Sequence, residues 1–199
     1  MAGTFPISSA QFTSLGIKSI QNTIISKSVS GKKLARQIDG QRWGFTAKII
    51  TAKRSDVYGE LMAFIVKQRS GKENFTIIPP EVEDARGTAS GTPNGTASAG
   101  ATSITLGGSG TGTLKAGDFI KFASHDKVYM VVADQSDIST GSLTIEPPLT
   151  TAITNSDIQF DNVPFTVHLT NDIQEFGVVG SDKDGNALYQ FEIDVEESL

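Results

Sequence analysis

The sequence predicts a mainly β protein with one α-helix, in which a β-sandwich or barrel domain is interrupted by a small barrel-like β module. Three observations carry that expectation. Several runs alternate apolar and polar residues with period two, as half-buried strands do. One segment spaces its apolar residues at i, i+3, i+4 and i+7, as an amphipathic helix does. Between residues 87 and 100 the composition shifts to Gly, Ala, Ser and Thr, and a cluster of short strands with dense turn residues follows.

The first third reads as strands. Residues 17–26 are rich in Ile, and 34–38 and 41–49 flank Asp39-Gly40, a dipeptide that tolerates the positive φ of a tight hairpin turn. A turn there puts Arg36 opposite Trp43 and Leu34 opposite Phe45. Trp43, Phe45, Ala47 and Ile49 share one face of the second arm. The helix comes next, with Tyr58, Leu61, Met62 and Ile65 as its stripe. Ser55 or Asp56 is its expected cap, and Gly71 its expected stop. A strand over 74–78 ends at Pro79-Pro80.

Residues 87–100 read as a flexible connection, with Gly-Thr-Ala-Ser at 87–90 and again at 95–98. Residues 101–162 read as the inserted module, with strands expected at 103–106, 119–123, 127–133, 142–146 and 157–160. The chain then returns to the first domain, so 1–86 and 163–199 form one unit. Its last run, 187–196, is the clearest strand: Tyr189, Phe191, Ile193 and Val195 point one way, and Gln190, Glu192, Asp194 and Glu196 the other.

The formal net charge of −5 conceals an uneven distribution. Residues 1–86 hold 13 Lys/Arg against 7 Asp/Glu, a surplus of +6; residues 87–199 hold 4 against 15, a deficit of −11. Such a split suits complementary surfaces within or between subunits, or a nucleic-acid face. Lys32, Lys33, Arg36, Arg42 and Lys48 cluster near one hairpin beside Trp43. With a pI near 5.0, protein contacts rank above nucleic acid for that cluster. The start of the chain has no basic segment followed by a long apolar one, and no apolar run approaches the length of a spanning helix, so neither a signal peptide nor a membrane partner is expected.

Catalytic chemistry is sparsely represented. The absence of cysteine removes disulfides, thiolate metal sites and cysteine nucleophiles. The two histidines, His125 and His168, lack metal-ligand spacing. Gly107–Gly112 superficially suggests a phosphate loop, but no Lys-Ser/Thr pair follows it and the dinucleotide spacing fails, so a flexible inter-strand loop is the better reading. Asp182-Lys183-Asp184-Gly185-Asn186 opens like a calcium loop, yet its twelfth position is Ile193 inside a strand; a hairpin turn fits better. No catalytic, metal or cofactor residue is assigned, no cofactor is expected, and no enzymatic activity is expected.

Several segments together resemble virion tail proteins of tailed bacteriophages. They are Phe5-Pro6-Ile7, Ser28-Val29-Ser30-Gly31-Lys32-Lys33, and Ile38-Asp39-Gly40-Gln41-Arg42-Trp43-Gly44-Phe45 with the helix that follows. Leu114-Lys115-Ala116-Gly117-Asp118-Phe119-Ile120, His125-Asp126-Lys127-Val128-Tyr129 and Leu143-Thr144-Ile145-Glu146-Pro147-Pro148-Leu149 are similar to a module inserted in such proteins. Val163-Pro164-Phe165-Thr166-Val167 and Asp172-Ile173-Gln174-Glu175-Phe176 extend the likeness. The nearest role is a distal tail, tail-hub or minor tail protein. The resemblance implies a β "belt" domain that closes into a ring, commonly a hexamer, joining the tail tube to baseplate or fibres. It implies partners among the tube, hub and fibre proteins, and a place in the virion tail after synthesis in the bacterial cytoplasm. The sequence-level expectation for the subunit interface is that Lys32, Lys33, Arg36 and Arg42 approach Glu192, Asp194 and Glu196 of the same or a neighbouring copy. The competing reading makes the inserted module a host-surface glycan binder, for which Phe119, Phe122, Tyr129 and Phe160 are the aromatic candidates.

Overall fold

A computed structural model of the chain describes residues 3–6, 11–37, 40–80, 82 and 84–199. The described residues form sixteen strands and one α-helix, consistent with the mainly β expectation.

The first sheet is built from β1 (Phe12–Ile20), β4 (Arg42–Ile49), β16 (Glu192–Glu197), β13 (Phe165–Leu169) and β6 (Phe75–Ile77), in that order. Its interior strand β4, between β1 and β16, turns Trp43, Phe45, Ala47 and Ile49 inward, the face its alternation predicts. Phe45 packs edge-on against Phe165 at 4.8 Å, and Leu61 and Ile65 of α1 (Gly59–Lys67) join the same core. The helix differs from expectation at both ends. A π-helical turn over Arg54–Tyr58 leads into it, and no side chain caps it. It stops at Lys67 because Gln68 folds its amide back to the Phe64 carbonyl at 3.0 Å, and Arg69 and Ser70 turn to positive φ. Gly71 lies beyond the stop.

The expected Arg36–Trp43 hairpin is not formed. Between β1 and β4 the chain runs through β2 (Thr23–Lys27) and β3 (Lys33–Gln37), which pair with each other: Arg36 faces Ile24 and Leu34 faces Ser26. Trp43 and Phe45 face Ser19 and Ile17 of β1. The apolar face of β4 finds a nine-residue strand partner, which buries it far better than the short, polar β3 would. Asp39, half of the expected turn, lies outside the described residues.

The last expected strand is also split. Phe191 marks the break: β15 (Ala187–Gln190) joins a small sheet with β14 (Gly177–Ser181) and β5 (Ala52–Lys53), while β16 joins the main sheet. The alternation carries through the break because Phe191, Ile193 and Val195 all face the core.

The inserted strands close into a six-stranded barrel in the order β10-β11-β8-β7-β12-β9. These are β7 (Pro93–Ala97), β8 (Ser103–Gly108), β9 (Phe119–Phe122), β10 (Val128–Val131), β11 (Ser142–Glu146) and β12 (Ile153–Gln159). Thus the stretch 87–100, expected as a flexible connection, supplies a barrel strand. Its small residues have a packing cause. A Cβ on Gly95 would lie 2.7 Å from Ile104 and 3.1 Å from Phe122, so the wall at β7 approaches the core too closely for a side chain.

The β7–β8 pair continues as a ribbon beyond its Pro93–Gly108 end. Pro93 faces Gly108, and the register continues to the Ser90–Thr111 bridge. Hydroxyls pair along it: Thr88 with Thr113 at 3.3 Å, Ser90 with Thr111 at 2.9 Å, Thr92 with Ser109 at 2.8 Å. The expected loop Gly107–Gly112 is therefore one side of a paired ribbon, not a free loop. Gly112 has φ +89°, and a Cβ there would lie 2.1 Å from the Thr88 carbonyl oxygen. Gly112→Ala is expected to cost about 2 kcal/mol, read as a lower urea midpoint at unchanged slope.

Candidate functional site

Charge and chemistry gather in three places: the outer face of the main sheet, the β2–β3 ribbon, and the wall that the sheet shares with the barrel.

On the outer face, period two places Glu192, Asp194 and Glu196 of β16 beside the cations of β4 and β1. Lys48 Nζ lies 3.3 Å from Glu192 Oε2, and Arg42 Nη1 donates to Glu196 Oε1 at 2.9 Å. Lys18 of β1 reaches over Gly44, which carries no side chain, to Asp194 Oδ1 at 3.4 Å. The Thr46 hydroxyl donates to the same carboxylate. Such solvent-facing pairs contribute about 0.2–1 kcal/mol each; their main effect is to hold the register of three strands. Arg42 and the three acidic residues thus meet within one subunit. Lys32, Lys33 and Arg36 are carried elsewhere, on or beside the exposed β2–β3 ribbon, where among the described residues they form no ion pair.

The shared wall is formed by β9 and β10. Phe119 and Val128 belong to the sheet core, while Ile120, Phe122, Tyr129 and Val131 belong to the barrel core. Both faces of these strands are buried, which is why they read as nearly continuous apolar runs. A buried polar clasp crosses the wall. Glu197, fully buried, accepts from the backbone N–H of Val128 at 2.8 Å and of Trp43 at 3.1 Å. Lys127 donates to the same carboxylate and to Gln41 Oε1 at 3.0 Å. Trp43 Nε1 donates to the Val128 carbonyl at 2.9 Å, its ring lies edge-on to Phe119 at 5.0 Å, and Lys127 Nζ is 5.8 Å from its centroid. Burial pushes the Lys127 ammonium below its ordinary pKa, while Glu197 pulls the other way.

Sequence reasoning missed this clasp. The signal available was that the inward face of β16, continued one step past Val195, lands on Glu197, and that Lys127 opens an otherwise apolar strand.

His125 lies in the barrel. Its Nε2 and the Tyr129 hydroxyl share a hydrogen bond at 2.8 Å, and that hydroxyl accepts from the Thr150 N–H at 3.1 Å. Burial, helped by Lys121, holds His125 below its usual pKa against the opposing pull of Asp126; burial raises Tyr129. Both groups are therefore neutral near pH 7, and the network ties the loop at Thr150 to β10. Among the described residues no three His, Asp or Glu side chains converge as a metal site. Phe119, Phe122, Tyr129 and Phe160 are all buried, so none of these aromatics offers a sugar-stacking face.

The turn at 182–186 joins β14 to β15, as a hairpin reading requires. Asp182 accepts from the Asn186 side chain at 2.9 Å, from the Asn186 and Asp184 backbone N–H groups, and from Lys53 at 2.5 Å. The Asn186 bond and then Lys53 hold its carboxyl well below the usual carboxylate range. A depressed carboxylate stabilises the fold above its unfolded pKa and loses that contribution as pH falls through the folded one. The Asp182 carboxyl carbon is accordingly expected to titrate below the usual carboxylate range by NMR, and Asp182→Asn should flatten the acid limb of the stability profile.

Among the described residues, no helix is long and apolar enough to cross a membrane. Residues 83–163 match the family model described as distal tail protein pb9, B domain. That stretch is similar to a phage distal tail domain. The match takes in all six barrel strands together with the ribbon that leads into them. It supports the resemblance to tail proteins. No curated protein matches the chain.

Proposed function

We propose that this chain forms a ring in a bacteriophage tail, joining the tail tube to the baseplate or fibres. The observation that carries the reading is the distal tail domain at 83–163. In this reading residues 1–86 with 163–199 are the ring-forming belt, and 101–162 with β7 from the stretch 87–100 make the inserted barrel. Its partners are further copies of itself, six in the ring, and the tube, hub and fibre proteins; its work is mechanical and not catalytic.

The shared wall supports such a role. Two cores with a common wall and a buried clasp transmit load better than two cores on a flexible tether. In this reading Lys32, Lys33 and Arg36 meet a neighbour's edge that includes Glu192, Asp194 and Glu196, which within the subunit also pair with Lys48, Lys18 and Arg42. The test is the assembly state of the purified full chain. Negative-stain electron microscopy and light scattering should show closed rings of one size, whereas a chain that stays monomeric at high concentration and in virions would overturn the reading.

A further inference from the structure

We infer that the β2–β3 ribbon is an arm that docks, head to tail, into an acidic groove beside β14 on a second copy of this chain. The inference rests on the ring reading and deepens it by naming both surfaces.

The ribbon is a poor structure for an isolated subunit. Every residue of β2 and β3 is exposed, including Ile24, Ile25 and Leu34 at 54–56%, and Val29 at the tip is fully exposed. Two strands without a third or a packed face are marginal in water. Its chemistry is one-sided as well. Residues 21–37 contain Lys27, Lys32, Lys33 and Arg36 and no Asp or Glu.

The complementary surface lies at the other end of the sheet. A groove of about 400 Å³ is lined by Ile173, Glu175, Val179, Glu192 and Asp194, with Lys48 at its side. Ile173, Val178 and Val179 are exposed there by 55–79%. Residues 171–196 hold seven Asp/Glu against the single Lys183. Lys48 and Lys18 offset Glu192 and Asp194, but among the described residues Asp172 and Glu175 make no ion pair. β14 borders the groove and carries no charge, and among the described residues it pairs only with β15, so its other edge is an unprotected row of backbone donors and acceptors.

The register separates the root of the arm from the groove of the same subunit. The arm leaves the main sheet where Ile20 faces Arg42; the groove begins where Lys48 faces Glu192. Those ends of β4 are roughly 20 Å apart at about 3.3 Å per residue, and β1 runs from the groove end of β4 toward the arm's root. A surface at one end that fits a different surface at the other end gives a heterologous contact, the kind that closes rings.

The chain has no cysteine, so a designed pair reports this contact without background. Leu34→Cys and Val179→Cys are both at exposed positions, and with a short bismaleimide the double variant should give a ladder of covalent dimers, trimers and higher species. Neither single variant should. Lys33→Glu with Arg36→Glu should weaken assembly about tenfold or more, and Asp172→Lys with Glu175→Lys in the same chain should restore it; circular dichroism verifies folding of each. Rings that form without the ladder, or that ignore the charge reversal, overturn the docking while leaving the ring reading intact. Cross-linking of Leu34→Cys alone would show arm-to-arm pairing and overturn it too. A monomer under all conditions overturns both readings.

Discussion

Lys127→Ala is expected to destabilise the protein by about 3–5 kcal/mol. The lysine side chain is 2% exposed and Glu197 is not exposed at all. Removing the cation leaves a carboxylate in a dry wall with only the Trp43 and Val128 N–H groups for partners. Glu197→Ala is expected to cost a similar amount for a different reason: it strands an ammonium and orphans those two donors together. Lys127→Met with Glu197→Leu removes both charges at similar volume. Its cost should fall well short of the sum of the single changes, because what remains is the unsatisfied backbone and not a buried charge. Urea melts of the four proteins close the cycle. Trp43 is the sole tryptophan and lies in the clasp, so its emission reports the wall directly. A red shift in Lys127→Ala under native conditions is expected, since water must follow the uncompensated charge. A loss below 1 kcal/mol with unchanged emission would show that the clasp is not holding the wall.

The parts of the fold that were legible in sequence are those where one local pattern decides the outcome. β4 and β16 declare their inward faces by alternation, and the stripe Leu61–Ile65 declares its helix. What the sequence concealed depended on partners distant in the chain. The Asp39-Gly40 signal predicts a local hairpin, but β4 gains more from β1 and β16 on either side. β7 looks like a linker because its inner face must be a glycine under Ile104 and Phe122, a fact of packing and not of propensity. The hydroxyls at Thr88, Ser90 and Thr92 do alternate, yet their mates at Thr113, Thr111 and Ser109 become visible only once the ribbon closes. Of the expected interface, Arg42 with Glu196 proved to be a pair inside the subunit, which charge arithmetic alone could not separate from one between subunits. That pairing narrows the arm's free charge to the residues before the turn, and it is what directs attention to a groove at the far end of the sheet.

The second large effect is expected at Trp43. Trp43→Ala removes an indole that is 6% exposed, packs against Phe119 and donates to Val128. Truncations of this size cost about 3–5 kcal/mol. Trp43→Phe keeps a ring but leaves the Val128 carbonyl without its donor, so about 1–3 kcal/mol is expected. The distribution of the loss matters more than its size. The barrel core of Ile104, Phe122, Tyr129, Leu143 and Ile153 does not include the indole, whereas the sheet core does. If the wall couples the two cores, the parent protein melts in one calorimetric transition. Trp43→Ala should then split it in two, with the barrel surviving to the higher temperature. A single transition in the variant, lowered but not divided, would mean that the cores share more than this wall. Two transitions already present in the parent would mean that the barrel never depended on Trp43, and the load-bearing reading of the wall would fail with it.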